Sequence, residues 1–368
     1  MPDTIWIDKD DELGRVADEL RQAPWIGIDT EFMREKTFFP KLCLLQISAP
    51  AQIWCVDTLK IASLAPLMPA FTAGPVTKIL HAARQDLEAI YLVTRNLVGP
   101  VFDTQIAAAC IGMKPQLGYA DLAKTLLNVS IAKSQTRTDW SRRPLSEAQL
   151  LYAAEDVRHL DEIATRLQNR LQALKREHWV AEDCGQLANA KLYDLDPERA
   201  WTRLKGVALL APRAAAIAKA LAIWRERIAR ERDSPRSWIL SDTAIFNLAL
   251  SDPRNADQMQ AAAPETANFP ASAAASLIET IRQSGTGSRD ADADFVAPDL
   301  RPTPEQKALI NRLSLIVDQR ASELTVSSEI LATRGELKAM VMSGAETAAL
   351  RGWRRAEIGE RLLAELNK

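Results

Sequence analysis

Cysteine, histidine and unbroken apolar sequence are all scarce in this chain of 368 residues. The four cysteines (Cys43, Cys55, Cys110, Cys184) form no C-x-x-C pair, and the three histidines (His81, His159, His178) stand at no zinc-like spacing. A zinc site and a disulfide framework are therefore excluded, and reduced structural thiols in an intracellular protein are expected. The most apolar late stretch, 206–224, is interrupted by Pro212, Arg213 and Lys219, which argues against a membrane span. Residues 1–20 are acidic and carry neither the basic start nor the apolar run of a secretory leader, so a cytoplasmic location is expected. Neither a GxxxxGK[ST] phosphate loop nor a GxSxG elbow occurs, which removes P-loop ATPases and serine hydrolases. An excess of one charge is missing too. The 46 Lys+Arg face 48 Asp+Glu for a net charge of −2, so the chain is not basic overall, although local patches remain open.

What is present is the ordinary balance of a globular chain, 47% hydrophobic and 26% charged, at a length that predicts two or three domains. Residues 1–180 alternate strand-like runs (Trp25–Phe32, Leu42–Ile47, Gln52–Val56, Lys78–His81, Val101–Asp103) with helical stretches near 10–21, 85–96, 104–111, 119–127 and 147–174. That alternation predicts an α/β domain with one helix-covered sheet. Beyond about residue 185 the pattern is helical only. Residues 285–303, rich in Gly, Ser, Asp and Pro, read as an exposed linker between helical modules at 190–284 and 304–368. Charge is patterned along this plan: 21 basic and 22 acidic residues over 1–180, nine basic and three acidic over 201–240, two basic and seven acidic over 256–300. The basic stretch thus falls in the first helical module.

Three acidic elements stand out. In the strand W-I-G-I-D-T-E-F at 25–32, alternation puts Asp29 and Glu31 on one face and Ile26, Ile28 and Phe32 on the other. Two adjacent carboxylates on a core strand repel and lose hydration unless a divalent cation lies between them; a solvated polar face is the simpler alternative. In H-A-A-R-Q-D-L-E at 81–88, Asp86 falls in the first turn of a helix, where the helix dipole alone would favour it. In S-E-A-Q-L-L-Y-A-A-E-D-V-R-H-L at 146–160, Ser146 and Gln149 form a capping box, with Leu145 and Leu150 as its hydrophobic staple. Tyr152 and Asp156, four apart, share one flank of the apolar stripe that follows, so Asp156 should be partly desolvated. Taken singly, each element is also explained as ordinary structure.

Together, Asp29-x-Glu31 on a strand, Asp86 after a later strand and Tyr152-x-x-x-Asp156 on a helix match the DEDDy exonuclease pattern in order and spacing. D-T-E-F-M-R at 29–34, L-L-Q-I at 44–47, D-T-Q at 103–105 and K-S-Q-T-R-T-D-W at 133–140 extend the match, and over nearly its whole length the chain resembles the bacterial ribonuclease D family. A-W-T-R-L-K-G at 200–206 and W-R-E-R-I-A-R-E-R-D-S-P-R-S-W-I-L-S-D at 224–242 resemble the family's first HRDC module; E-I-L-A-T-R-G-E-L at 329–337 and R-G-W-R-R at 351–355 resemble a second, more divergent one. The resemblance implies a ribonuclease H-like (DnaQ-like) α/β exonuclease domain with a mixed central sheet over 1–180, followed by two small all-α HRDC domains. It implies a monomeric 3′–5′ exoribonuclease that releases 5′-nucleotides from RNA 3′ ends, chiefly transfer RNA precursors and other structured RNAs. It also implies two divalent metal ions, Mg²⁺ or Mn²⁺ for an all-oxygen ligand set, held by Asp29, Glu31, Asp86 and Asp156, with Asp29 bridging. Tyr152 would orient the attacking water; an unperturbed tyrosine pKa of about 10 makes it a poor base at neutral pH.

RNA contacts are expected from the basic loop 133–143, through Lys133 and Arg137 and with Trp140 either stacking on a base or anchoring the loop. The arginine-rich helix around 224–236 is expected to add Arg225 and Arg230, with Glu226 and Arg230 as a possible i,i+4 pair. His159 follows Asp156 by three residues, whereas a catalytic histidine would precede the last Asp by five, where Leu151 stands; His159 and His81 are therefore read as non-catalytic. A DNA-directed exonuclease and a non-catalytic RNA-binding scaffold on the same fold are the alternatives, separable by RNA against DNA assays and by metal-dependent nucleotide release.

Overall fold

A computed structural model describes residues 3–284 and 302–368, apart from 73, 133, 134, 136 and 137. The stretch expected to be a linker, 285–303, lies outside the described residues except for 302 and 303. The chain forms two compact units, one of Met1–Met33, Pro40–Tyr193 and Pro304–Lys368, the other of Arg34–Phe39 and Asp194–Thr303.

The first unit is built on a six-stranded sheet: β1 (Asp3–Ile7), β2 (Trp25–Met33), β3 (Lys41–Ala49), β4 (Gln52–Val56), β5 (Thr77–Leu80) and β6 (Val101–Asp103), in the order β1-β4-β3-β2-β5-β6. β2, β3 and β4 pair antiparallel, whereas β1–β4, β2–β5 and β5–β6 pair parallel, so the sheet is mixed as expected. β1 was not expected from sequence; five residues at a sheet edge, followed at once by acidic residues, carry too little pattern to register. The central strands are covered on both faces and read as near-continuous apolar runs, Ile26, Ile28, Leu44, Leu45 and Ile47 all being fully buried.

Two local features bring the 147–174 helical stretch onto the sheet. Gly27 pairs with Ser48 across β2 and β3, and a Cβ at Gly27 would come within 2.2 Å of Ser48 Oγ and 3.3 Å of Leu160 Cδ1. Without that side chain the helix can approach, and Ser48 Oγ donates to the Val157 carbonyl at 3.0 Å. The predicted single helix is broken at His159 into Glu147–Arg158 and Leu160–Leu174. The Tyr119 hydroxyl accepts from the His159 backbone N–H at 3.2 Å and donates to the Glu155 carbonyl at 3.1 Å, taking over backbone groups at the break.

The helices from Pro304 onward pack into this same unit, a placement with no counterpart in the sequence pattern. Trp353 stacks on Trp179 at 4.0 Å between ring centroids, and its backbone N–H donates to Glu182 at 2.9 Å. The Arg354 guanidinium meets Asp183 bidentately, at 2.6 and 2.8 Å. Arg176 donates both to the Cys110 carbonyl and to the Leu324 carbonyl.

The second unit is helical, centred on the helix Pro212–Glu231, whose buried Ile217, Leu221 and Trp224 share a core with Ile245, Leu248, Leu277 and Ile281. Arg34–Phe39, which the sequence places inside the first domain, belongs here: the Phe38 and Phe39 backbone N–H groups donate to Asp233 Oδ1 at 3.0 and 2.9 Å.

Candidate active site

β2 delivers Asp29 and Glu31, partly buried, on the face covered by the helix Glu147–Arg158. A register irregularity between Glu31 and Phe32 ends the regular pairing just after them. The helix brings Asp156, and one carboxylate oxygen from each of Asp29, Glu31 and Asp156 falls within a 4.8 Å cluster. Its start is set by the expected capping box, with Ser146 Oγ accepting from the Gln149 N–H and Gln149 Oε1 accepting from the Ser146 N–H.

Asp86 lies outside that tight group. It is buried in the first turn of the helix Arg84–Thr94, and the Thr30 hydroxyl donates to it at 2.6 Å. Its position depends on Asp103, which sequence reading left without a role. The Asp103 carboxylate accepts from the backbone N–H groups of Ala82, Ala83, Gln105 and Ile106, tying the end of β6 to the turn that precedes Asp86. The signal that could have found it was an Asp directly before a helix, which is an N-cap.

Tyr152 is held from behind. The buried Trp140 ring lies 6.1 Å from the Tyr152 ring, within a cluster that includes Cys43, Leu44, Cys55 and Ala153. Arg143 fixes the loop that carries Trp140: it donates to both oxygens of the fully buried Asp57 at 2.7 Å and to the Trp140 carbonyl at 2.8 Å. The Tyr152 hydroxyl in turn donates to Asp156.

The electrostatics are those of an uncompensated anionic site. Burial first, and then the charges of Asp86, Asp156 and Glu31, push Asp29 well above the usual carboxylate range. Burial, with Asp156 and Asp86, pushes Glu31 up to about 9. Burial likewise raises Asp86 to about 7, against the Thr30 hydrogen bond, and Asp156 to about 7, against that of Tyr152. No lysine or arginine stands among the leading influences on any of the four. The donor set is all oxygen, which suits a hard divalent cation and not zinc. Beneath it, Gln46, paired with Asp29 across β2 and β3, is fully buried with neither amide atom hydrogen-bonded. Sequence reading noted Gln46 only as part of a motif.

These shifts carry a sign. Between the unfolded carboxylate values near 4 and the folded values of about 7 and 9, the native state binds more protons than the unfolded one. Stability of the metal-free protein therefore falls as pH rises from 5 to 9. Thermal melts in EDTA should show a midpoint dropping across that range, and added Mg²⁺ or Mn²⁺ should abolish the drop; a flat profile in EDTA would contradict the electrostatic reading.

The expected RNA contacts fare unevenly. Lys133 and Arg137 lie outside the described residues. Trp140 is buried at 2% exposure and cannot present a face to a base, so it anchors the loop. Arg225 is a correction: it is buried, donating to the Leu240 carbonyl and to Asp242, because its helix turns it inward. Arg230 is another. Its guanidinium is taken by the Leu195 carbonyl and Asp194, and Glu226 pairs with Arg203 and Arg236 in its place. His81 is fixed between Thr104 and Leu117, and His159 lies 3.6 Å from Glu155, neither in the carboxylate cluster.

The chain is similar to known proteins along its whole length. The family model described as 3′-5′ exonuclease matches residues 4–172, and that of the HRDC domain matches residues 214–264. The chain is 33% identical over 371 residues to ribonuclease D of Pseudomonas paraeruginosa, covering 99% of this chain and 98% of that protein. It is 34% identical over 372 residues to ribonuclease D of Jannaschia sp., covering 100% and 96% respectively. Its fold superposes on the crystal structure of Escherichia coli RNase D, an exoribonuclease involved in structured RNA processing, with a TM-score of 0.90, 27% identity and 99% of each chain covered. With the carboxylate-bearing α/β fold, these full-length matches establish that the chain belongs to the ribonuclease D family of 3′–5′ exoribonucleases.

Proposed function

We propose that this chain trims the 3′ ends of transfer RNA precursors and other structured RNAs, one nucleotide at a time, by hydrolysis at the Asp29–Glu31–Asp86–Asp156 site with two divalent cations. The reading has the protein working as a monomer in the cytoplasm; among the described residues no helix is long and apolar enough to cross a membrane. The observation that carries it is the cluster of Asp29, Glu31 and Asp156 oxygens within 4.8 Å of one another.

Asp29, Glu31, Asp86 and Asp156 would hold the cations, the first, second and fourth from one tight cluster and Asp86 from the start of its helix. Bound Mg²⁺ or Mn²⁺ supplies water activation and stabilisation of the leaving 3′-oxygen. The protein's own part is placement. Tyr152, buttressed by Trp140, holds and aligns the attacking water. Phe at position 152 is expected to lower kcat by roughly 10- to 100-fold, the scale of a misplaced reactant, with KM and metal affinity little changed. An equal fall in metal affinity would make Tyr152 a support for Asp156 only.

Residues 304–368 are taken as a second, divergent HRDC-like module and residues 190–284 as the first. The test of the substrate assignment is incubation of the protein and Mg²⁺ with a 3′-extended transfer RNA and with an unstructured RNA of the same 3′ sequence. Trimming of the extension that stops near the mature end supports it. Equal degradation through the folded RNA would contradict it, since the folded body would then not halt the enzyme.

A further inference from the structure

The segment 201–240 carries seven arginines, and in the structure six of them are taken: Arg203 and Arg236 by Glu226, Arg213 by Asp252, Arg225 by Asp242, Arg227 by Glu198 and Arg230 by Asp194. Most of the basic surplus seen in the sequence is therefore spent on internal ion pairs. Arg232 is exposed and has no carboxylate partner among the described residues. It lines a cavity of about 330 Å³ in the second unit, together with Trp238, Trp224, Phe269, Ile239 and Asn268.

The lining is unusual for a surface that only needs to be wet. Trp238 is 63% exposed, an indole left open to solvent directly before the buried Ile239. The floor is apolar and fixed: Trp224 and Ile239 are buried, the Trp224 indole N–H donates to Ser276 Oγ at 3.0 Å, and the Trp224 and Phe269 rings are parallel within 24°. Glu265, the one acid of the lining, is turned to the Ser241 N–H and hydroxyl at 2.8 and 3.0 Å. The exposed Asn268 offers a donor and an acceptor. The volume lies at the lower end of the range for small-ligand sites, enough for one flat group.

We propose that this cavity is a nucleotide-docking site for single-stranded RNA, in which one base stacks on Trp238, its edge meets Asn268, and Arg232 takes the adjoining phosphate. Stacking on an aromatic face beside a cation is the sequence-tolerant way to hold a single strand. A phosphodiester accompanies every stacked base and would pair with the guanidinium that, among the described residues, stands free beside the apolar lining. The inference rests on the reading of this chain as an enzyme acting on RNA, and it adds a contact remote from the hydrolytic carboxylates in sequence.

The test uses the full chain with Asp29→Asn, so that bound RNA survives, alone and combined with Trp238→Ala, Trp238→Phe or Arg232→Gln. Affinity for a fluorescent oligouridylate is measured across a salt series, with circular dichroism as the fold control. Trp238→Ala is expected to weaken binding roughly five- to a hundredfold, the range for one lost base stack. Trp238→Phe should restore most of it, and Arg232→Gln should reduce the salt slope by about one phosphate. Unchanged affinity in folded Trp238→Ala and Arg232→Gln proteins would overturn the proposal and leave the cavity to a protein partner. The enzymatic reading is scored separately, by nucleotide release from the same RNA with the Asp29-containing protein and Mg²⁺. Loss of release with cavity-dependent binding intact would sink that reading and leave this one standing.

Discussion

Asp29→Asn is expected to reduce nucleotide release by at least about 10³-fold, because the cations supply several kcal/mol of transition-state stabilisation and each 1.4 kcal/mol is a factor of ten. The same change should raise the melting temperature of the metal-free protein at pH 8. Asp29 is the carboxylate most crowded by its neighbours, with Asp86, Asp156 and Glu31 all opposing its ionisation. Replacing it with a neutral isostere removes the ionisable group whose charge the fold opposes most, through burial and through those three neighbours. Activity and stability thus move in opposite directions, which a residue important only for folding would not produce. Calorimetry in EDTA and a gel assay with Mg²⁺ on one preparation check both halves. A destabilised, inactive variant would instead assign Asp29 to the architecture.

Trp353→Ala is expected to lower the stability of the first unit by about 3–5 kcal/mol, the cost of emptying a buried tryptophan site. Trp353 is 4% exposed, stacked on Trp179 and flanked by Arg354 over its ring at 4.3 Å. Its truncation removes the stack and loosens the Arg354–Asp183 pair that joins the C-terminal helices to the helix Glu177–Gln186. Gly352 sits at φ +49 with a would-be Cβ 1.3 Å from Glu182 Oε1, so the chain at this junction has no slack. Urea denaturation measures the loss. At 20 °C the folded variant should keep most of its activity, since the site carboxylates come from β2 and from the helices Arg84–Thr94 and Glu147–Arg158. An unchanged midpoint would mean that the C-terminal helices are held by other contacts.

What could be read from sequence divides along physical lines. The carboxylate order, the strand alternation at Asp29 and Glu31 and the capping box at Ser146 are local patterns, and the structure has all three. What escaped depends on partners far apart in the chain. Trp353 meets Trp179 across more than 170 residues, and Arg143 meets Asp57 across 86, with nothing nearby to announce either. Arginine was the most misleading residue type. A run such as W-R-E-R-I-A-R-E-R reads as a cationic face, yet Arg225 and Arg230 on that helix are bound up within the fold. Burial of Trp140 likewise follows from distant partners, Cys43, Leu44 and Cys55, and the approach of Leu160 to the sheet from the absent side chain at Gly27. The fold and the carboxylates that cluster were legible; the surroundings of the arginines were not, because exposure of a long side chain is a tertiary property.

The hydrolytic assignment is tested most directly by the products themselves. An RNA oligonucleotide with a radioactive 3′-terminal nucleotide is incubated with the protein and Mg²⁺, in parallel with a DNA oligonucleotide of the same sequence and with an EDTA control. The site described here predicts release of the label as a 5′-nucleoside monophosphate from RNA before any shortening at the other end, none in EDTA, and slower release from DNA. Internal cleavage, 3′-phosphate products, or undiminished release in EDTA would contradict it.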